Sequence, residues 1–308
     1  MLSARAIHHS SCATINRMTT SPFISHPSFL STGTLYLVAT PIGNLEDITH
    51  RALRILSEVD IIACEDTRHT AKLLNHFRIS TRTISYHEHN EATRNHEIVS
   101  LIASGKSIAL VSDAGTPAIS DPGFRLVRAC IENNLTVVPV PGATAFACAL
   151  VVSGLPTDAF LFGGFLPSRA AARRARFAEL REMKATIIFY EAPHRIHDSL
   201  RDAREILGER HAVVARELTK LHEEIARGTL SELSTRFSHE ATTRGEIVLL
   251  IDRTTLDGET NANRISIAAR IAALEAEGIN PRAALKQAAR EYGLARDEAY
   301  RRLIVERG

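Results

Sequence analysis

The sequence predicts an α/β protein whose main sheet is rich in parallel strands and covered by helices on both faces. Short apolar runs of strand length recur from Thr34 onward, and stretches with helical spacing of apolar residues lie between them. Turn residues such as Pro41, Gly43 and Asn44 directly follow the first run. Strands that alternate with helices at this rhythm favour a parallel sheet between two helical layers.

Length and composition limit the class of protein. The 308 residues are enough for roughly two domains. Apolar residues make up 44% and charged residues 23%, which is typical of a folded globular chain. The formal net charge of +2 excludes a nucleic-acid coat protein. The longest apolar stretch, 145–152, is far shorter than the roughly 20 residues that span a bilayer, so we expect no membrane partner.

The first predicted domain covers residues 33–154 and repeats strand and helix. Asp47 is the predicted N-cap of its first helix, because apolar residues at helical spacing follow from Ile48 to Leu56. The leader 1–32, rich in Ser, Thr, His and Pro, is predicted to be disordered; a transit peptide and a start nearer Met18 are the alternatives. The predicted strands are 34–39, 61–64, 83–86, 108–111 and 135–140. The later predicted helices are 70–77, 91–103 and 124–133.

The second predicted domain covers residues 155–255 and has a looser pattern. A polar segment, 252–264, resembles a linker, and residues 262–308 predict a small helical bundle. The charges of the bundle nearly balance, which gives little support for DNA binding. The predicted strands are 159–162, 186–190, 211–215 and 246–251. The predicted bundle helices are 265–277, 281–292 and 295–305.

Ligands of open α/β sheets bind beyond the carboxyl ends of the strands, so the loops after the apolar runs are the candidate binding loops. The loop 40–45 contains Pro41 and Gly43, which suit either a tight turn or close approach of a ligand. The loop 139–145 contains Gly142, Ala143 and Thr144, whose small side chains suit either a ligand or ordinary packing at a helix start.

The loop 112–117 is the third candidate binding loop. Gly115 allows successive backbone N–H groups to converge, and the Asp113 carboxylate suits hydroxyl or ammonium groups. A nucleoside-like ligand fits this pairing. Farther along, Asp121, Pro122 and Gly123 are interpreted as helix initiation, with Asp121 as the N-cap.

Charged clusters follow two neighbouring strands. Residues 65–69 contain Glu65, Asp66 and Arg68, and residues 87–91 place two histidines beside two acids. An H-x-H metal site is disfavoured because no third ligand is fixed by spacing, so we expect no metal. Asp66 and Arg68 either pair with each other at the surface or contact substrate.

Charged residues also follow the later strands. Tyr190 and Glu191 end one apolar run, and Lys220 lies just beyond another; these residues are either functional or part of a solvated rim. The Arg-rich stretch 168–184 either attracts a phosphate backbone or forms an exposed helix face. The four cysteines show no C-x-x-C spacing, and we interpret them as small buried residues in a reducing cytoplasm.

Several of these segments carry a family resemblance. In chain order they are LYLVATPIGNLEDIT, EDTRHT, HEHNE, ALVSDAGTPAISDPG, PVPGATA, GFLP, IIFYEAPHR, ARELTK and RGEIVLLI. Together they resemble the ribosomal RNA small subunit methyltransferase I family of the tetrapyrrole-methylase-like superfamily. The resemblance extends from Thr34 to Ile251, roughly seventy per cent of the 308 residues. One visible departure is Arg244, where the family pattern has lysine.

The resemblance implies two α/β domains with S-adenosyl-L-methionine in the cleft between them, and a small C-terminal helical extension. It implies 2′-O-methylation of a cytidine in 16S ribosomal RNA, at the decoding centre of the small ribosomal subunit, by a cytoplasmic homodimer. The residues carried over to the cofactor are Pro41, Gly43, Asp113, Ala114, Gly115, Thr116, Gly142, Ala143, Thr144 and Tyr190.

Catalysis of this reaction requires alignment and deprotonation of a ribose hydroxyl. We expect Glu65 or Asp66 to align the hydroxyl or accept its proton, with Arg68 and Lys220 holding a nearby phosphate. Two alternatives stay open. A small-molecule methyltransferase of the tetrapyrrole or diphthamide type would share the cofactor loops, and a non-enzymatic RNA-binding protein would need the basic stretch but no cofactor cleft.

Overall fold

The computed structural model describes residues 33–238, 245–253, 267–292, 294 and 296–307, and all structural statements concern these residues. The predicted leader, Arg244 and most of the predicted linker lie outside this part of the chain. Two five-stranded sheets and a C-terminal group of helices make up the fold. Within the described ranges, no helix is both long and apolar enough to cross a membrane.

The first sheet is wholly parallel, as predicted, with the strand order β3-β2-β4-β1-β5. Two apolar clusters cover its two faces: one contains Ile55 and Leu56 of α1, and the other contains Ile98 of α3 and Leu126 of α4. Its strands are β1 (Thr34–Val38), β2 (Ile61–Cys64), β3 (Thr83–Ser85), β4 (Ile108–Val111) and β5 (Thr136–Val140). The helices of this unit are α1 (His50–Glu58), α2 (Thr67–His76), α3 (Glu91–Ala103), α4 (Phe124–Glu132) and α5 (Ala145–Ser153).

The second sheet is mixed, with the order β6-β7-β10-β8-β9 and one parallel pair, β6 with β7. The sequence prediction missed β9, α7 and α8. Its strands are β6 (Phe160–Phe165), β7 (Thr186–Glu191), β8 (His211–Arg216), β9 (Glu224–Thr229) and β10 (Ile247–Ile251). Its helices are α6 (Ala170–Glu179), α7 (Ile196–Leu207) and α8 (Leu230–Arg236).

Helix α5 joins the two sheets. Its sequence, AFACALVVS, is apolar at nearly every position, and Ala149, Leu150 and Ser153 are buried while Val151 is exposed. Ala149 and Leu150 pack against Val213 of β8 and Val248 and Leu250 of β10. Full burial of one such aliphatic side chain contributes about 1.5–3 kcal/mol, so this contact holds the edge of the first sheet against the second.

The C-terminal helices are α9 (Ile267–Ala276), α10 (Pro281–Glu291) and α11 (Arg296–Arg307). They share an apolar cluster of their own, which includes Ile271, Leu285 and Ala299. Asn280 caps α10 by accepting a hydrogen bond from the backbone of Ala283. The helical character predicted for this region is therefore confirmed, whereas the domain boundaries 33–154, 155–255 and 262–308 stay predictions.

Two predicted helix caps are wrong. Helix α1 is capped by Thr49, whose hydroxyl accepts from the backbone N–H of Ala52, and Asp47 lies in a preceding 3-10 turn. Helix α4 begins after Gly123, at φ 136°, with no side-chain cap, so Asp121 does not cap it. A Cβ on Gly123 would lie 2.8 Å from Cδ2 of Leu110, so the backbone itself approaches the core there.

Candidate active site

A cavity of about 310 Å³, here called the first cavity, lies between loops of the two sheets. Its volume falls at the lower end of the range of roughly 300–1,000 Å³ found for small-molecule sites. The first sheet contributes the loop after β4 and the start of α5, and the second contributes the ends of β7 and β8 and the start of β10. The residues that line it are Ile42, 113–116, 119–121, Thr144, Ala145, Phe165, 190–193, Leu218 and 245–248.

Hydrogen bonds between loops fix the wall of the first cavity. Thr40 and Gly115 exchange backbone hydrogen bonds of 2.9 and 3.1 Å. The Thr116 hydroxyl lies 3.2 Å from the carbonyl oxygen of Ala143 and 2.7 Å from the Thr144 hydroxyl. Gly115 has φ 88°, a conformation that favours glycine. Three strand-end loops therefore form one rigid wall.

The loop between β4 and α4 bends sharply before the helix. Ala118 and Ser120 adopt φ values of 68° and 60°, which are uncommon for residues with a side chain. Such strained residues persist where the surrounding structure imposes them, as at ligand sites. The bend directs Asp121 into the first cavity, a placement that the helix-initiation interpretation missed.

The predicted cofactor residues separate into three groups. Asp113, Ala114, Gly115, Thr116, Thr144 and Tyr190 all line the first cavity. Ala143 does not line it, but the Ala143 carbonyl oxygen accepts a hydrogen bond from the wall residue Thr116. Gly142 lines neither this cavity nor the second one described below; a Cβ there would lie 2.8 Å from that of Ala39, so its small size serves packing of β1 against the loop.

A second cavity, of about 290 Å³, adjoins the first at Asp113 and Ala114. Pro41 and Gly43, predicted to border the cofactor, line this cavity and not the first. The two cavities share four wall residues, which are Ile42, Asp113, Ala114 and Glu246. The second cavity is lined by 40–43, Leu45, His69, Thr70, Lys72, Leu73, 112–114, Lys220 and Glu246.

Carboxyl groups converge near this wall. Burial raises the pKa of Glu65, and the negative charge of Asp113 adds to the effect. Burial, followed by the charge of Glu65, raises the pKa of Asp121 to about 6. Asp113 accepts a hydrogen bond of 3.2 Å from the backbone N–H of Asp66. Asp121 lines the first cavity, whereas the predicted catalytic residue Glu65 lines neither cavity. A carboxyl group with a raised pKa beside a cavity is typical of a proton-transfer site.

Asp66 and Arg68 form the surface pair that was one of the two alternatives from sequence. The Arg68 guanidinium lies 3.1 Å from the Asp66 carboxylate, and Asp66 also caps α2. The hydrogen bonds from Arg68 hold the pKa of the exposed Asp66 carboxyl at about 2. The Arg68 side chain is 89% exposed, and neither residue lines either cavity.

Lys220 lies at the junction of the two sheets. Its ammonium group is 2.8 Å from Glu217 and 3.2 Å from Glu246. Burial opposes the charge of Lys220, but the hydrogen bonds to these two acids outweigh burial and raise the pKa. The side chain of Lys220 also packs against Gly43, and it lines the second cavity.

Sequence reasoning did not assign Glu191 and Glu246 as wall residues, although both lie in segments that carried the resemblance. Glu191 is 2% exposed and is one of the residues that line the first cavity. Arg195 lies 2.7 Å from one carboxylate oxygen of Glu191, and the Ser199 hydroxyl donates to the other. In the sequence, both acids could have been found by their position beside an apolar run: Glu191 directly follows one, and Glu246 directly precedes another.

The Arg-rich stretch is largely neutralised by acids. Arg173 is buried and lies 2.6 Å from Asp202, which also pairs with Arg174. Arg176 pairs with Glu179. These contacts leave little free positive charge on α6 for a phosphate backbone. In the part of the chain that the structure describes, no group of three or more His, Cys, Asp or Glu side chains could hold a metal ion.

Comparison with known proteins defines the class. Residues 34–234 match the family model of the tetrapyrrole (corrin/porphyrin) methylases. Cobalt precorrin-4 methyltransferase has a TM-score of 0.55 at 16% identity, over 71% of this chain and 95% of that one. Diphthine synthase has a TM-score of 0.55 at 13% identity, over 72% and 91%. Fold and sequence thus place this chain among the tetrapyrrole methylases.

Closer relatives define the family within that class. The ribosomal RNA small subunit methyltransferase I of Halalkalibacterium halodurans is 48% identical over 87% of this chain and 93% of its own. The protein of that name from Synechocystis is 49% identical over 87% and 96%. The chain belongs to the ribosomal RNA small subunit methyltransferase I family.

Proposed function

We propose that the chain catalyses S-adenosyl-L-methionine-dependent 2′-O-methylation of a cytidine ribose in the 16S RNA of the small ribosomal subunit, at the decoding centre. The observation that carries the proposal is the pair of adjoining cavities, which provides separate spaces for a small methyl donor and a larger acceptor. The names of relatives about half identical to the chain support the RNA substrate.

The residues of the first cavity fit S-adenosyl-L-methionine chemically. This cofactor carries an ammonium, a sulfonium and a carboxylate, together with an adenine ring and a ribose diol. Carboxylates of Asp113, Asp121 and Glu246 line the cavity and complement the cations and hydroxyls. Phe165 and Tyr190, whose ring centroids are 5.3 Å apart, provide an aromatic wall for a flat ring.

When bound, the cofactor supplies an activated methyl group: the methyl–sulfur bond breaks as the ribose oxygen–carbon bond forms, sulfur keeps the bonding electron pair, and the hydroxyl proton passes to a base. Of the two predicted bases, Glu65 suits proton acceptance better than Asp66, because the carboxylate with the higher pKa accepts a proton more readily. The pKa of Glu65 is raised, whereas that of Asp66 is about 2.

The structure supports a phosphate-binding role for the two predicted ligands, Lys220 and Arg68, to different degrees. Lys220 lines the second cavity, next to the wall it shares with the first, and is suited to hold a substrate phosphate or to fix Glu246. Arg68 lies outside both cavities and is already paired, so a substrate phosphate would have to displace Asp66. Of these two residues Lys220 is the better placed, and a phosphate there would share its ammonium group with Glu217 and Glu246.

We propose a cytoplasmic homodimer as the functional form. Phe124 and Ile131 form an exposed apolar stripe on α4 at 66% and 62% exposure, and Val151 of α5 is 75% exposed. Exposed apolar patches on folded proteins are typical of protein interfaces. Light scattering on the purified chain tests this proposal, and a monomeric mass would contradict it.

The decisive experiment is transfer of a radiolabelled methyl group to small ribosomal subunits isolated without this modification, followed by nucleoside mapping. Label on a cytidine 2′-oxygen supports the proposal. Label on porphyrin precursors instead would favour a small-molecule methyltransferase, the alternative suggested by the fold of cobalt precorrin-4 methyltransferase. Failure to bind S-adenosyl-L-methionine, with RNA binding intact, would favour a non-enzymatic RNA-binding protein.

A further inference from the structure

One face of helix α2 points into the second cavity. His69, Lys72 and Leu73 line this cavity, and His76 lines the neighbouring groove described below. Their spacing of i, i+3, i+4 and i+7 places them on a single stripe of the helix. The stripe contains three basic side chains, His69, Lys72 and His76, and no acid, while the acids of the site lie on other elements.

Lys72 is the available cation of this face. Its side chain is exposed, and among the described residues it makes no ion pair. Lys220, the other ammonium of the second cavity, is already held by Glu217 and Glu246. A phosphate that enters the cavity therefore gains a full charge-assisted hydrogen bond from Lys72 without first breaking a contact within the protein.

The second cavity continues into an open groove of about 600 Å³. The cavity and the groove share Gly43, Leu45 and Lys220. Leu221, in the wall of the groove, has a side chain that is 92% exposed, which offers an apolar surface to a nucleobase. An isolated small molecule does not need such an extension, whereas a polymer strand must leave the site on at least one side.

Charge is distributed unevenly along this path. The acids Asp113 and Glu246 lie on the wall shared with the first cavity, and Lys72 lines only the second. One further acid, Glu46, lines the outer groove. A nucleotide in an RNA strand has the same order of groups, with a ribose hydroxyl next to a phosphodiester. Asp113 therefore matches the hydroxyl, and Lys72 matches the phosphate.

We infer that the second cavity and its groove bind the RNA strand around the target ribose, with Lys72 pairing with the adjacent phosphodiester. This inference rests on the proposed function and assigns its acceptor site to a helix face that carried no role in the sequence-based prediction. The hydroxyl of the target nucleotide then lies where the two cavities adjoin, next to the methyl donor in the first cavity.

The test compares Lys72→Met with Lys184→Met, which removes the same charge from an exposed position away from both cavities. In Lys72→Met, the KM for unmethylated small subunits is expected to rise about tenfold, the contribution of one charge-assisted hydrogen bond, with kcat and cofactor affinity unchanged. The salt dependence of RNA binding is expected to lose about one unit of slope. Lys184→Met is expected to behave as the wild type.

Lys72→Arg is expected to restore most of the affinity, which a general folding defect would not allow. A KM and a salt slope of Lys72→Met equal to those of Lys184→Met would overturn the inference. RNA binding is measured without cofactor, so its result is independent of methyl transfer. If the wild type binds RNA through Lys72 but transfers no methyl group, the proposed function fails and the strand site stands.

Discussion

Gly43 and Lys220 lie in direct contact across the junction of the two sheets. A Cβ on Gly43 would lie 2.4 Å from Cγ of Lys220 and 3.0 Å from the Thr219 hydroxyl oxygen. That hydroxyl is buried and has no hydrogen-bond partner within the described residues. The close contact leaves no space for a side chain at position 43, although the backbone of Gly43 itself is not left-handed.

Gly43→Ala is therefore expected to lower the free energy of unfolding by about 1–3 kcal/mol, since the added methyl group must displace the stem of Lys220. Urea unfolding measures this loss. The double variant Gly43→Ala/Lys220→Ala removes the displaced atoms and is expected to recover part of it. If the losses in unfolding free energy of Gly43→Ala and Lys220→Ala simply add in the double variant, the contact with Lys220 is not what excludes a side chain at position 43.

Glu65→Gln and Asp66→Asn form a matched pair of charge removals at adjacent positions. Glu65→Gln is expected to lower kcat for methyl transfer about 10²–10⁴-fold, because it removes the proposed proton acceptor. Asp66→Asn keeps a good N-cap for α2 and is expected to change kcat by less than about threefold. Single-turnover methylation with saturating subunits measures both. A large loss in Asp66→Asn with an unaffected Glu65→Gln would reverse the assignment.

Asp121→Asn is expected to stabilise the protein at neutral pH. The pKa of Asp121 is raised from 3.8 to about 6 in the folded state, so its stabilising contribution is complete below 3.8 and is lost as pH rises through about 6. At neutral pH the amide avoids the cost of a buried charge, a gain of up to about 3 kcal/mol.

Unfolding by urea between about pH 4 and about pH 8 measures the pH dependence of this gain. The difference in the free energy of unfolding between Asp121→Asn and the wild type is expected to grow as pH rises and to level off above about pH 6. Asp47→Asn, at an exposed position outside the first cavity, is the control and is expected to show no such trend. A difference that is constant with pH would contradict the raised pKa.

Arg173→Met is expected to destabilise the fold by about 3–5 kcal/mol. The buried Asp202 carboxylate then loses its ion pair with Arg173 and keeps only the one with Arg174. The salt dependence of RNA binding is expected to stay unchanged. Arg169→Met, at an exposed position of the same stretch, is the control for stability. A fall in the salt slope of Arg173→Met without loss of stability would instead assign this stretch to RNA.

The central strands of the first sheet, β2, β4 and β1, were predictable because burial on both faces demands a continuous apolar run. Ile108–Val111 is apolar throughout and is fully buried. Strand β9 was missed because it lies at the edge of its sheet and its sequence, EIARGT, contains charges and a glycine. An edge strand needs no such apolar run, so local sequence carries only a weak signal for it.

The candidate site was predictable only in part. Asp113 was found because it follows a buried strand directly. Asp121 was misinterpreted because an acid before Pro122 and Gly123 has the pattern of a helix start, whereas the left-handed Ala118 and Ser120 bend the loop first. Lys72 gave no signal either, since its role depends on which face of α2 the fold directs toward a cavity.

The shared wall has a thermodynamic consequence for the affinities of the two proposed ligands. Ile42, Asp113, Ala114 and Glu246 belong to both cavities, so any adjustment that one occupant imposes on them changes the environment of the other. Reciprocity then requires that donor and strand alter each other's equilibrium affinity by the same factor. Cooperativity between two chemically unrelated ligands would thus arise from the four residues that line both cavities, without any movement of the sheets.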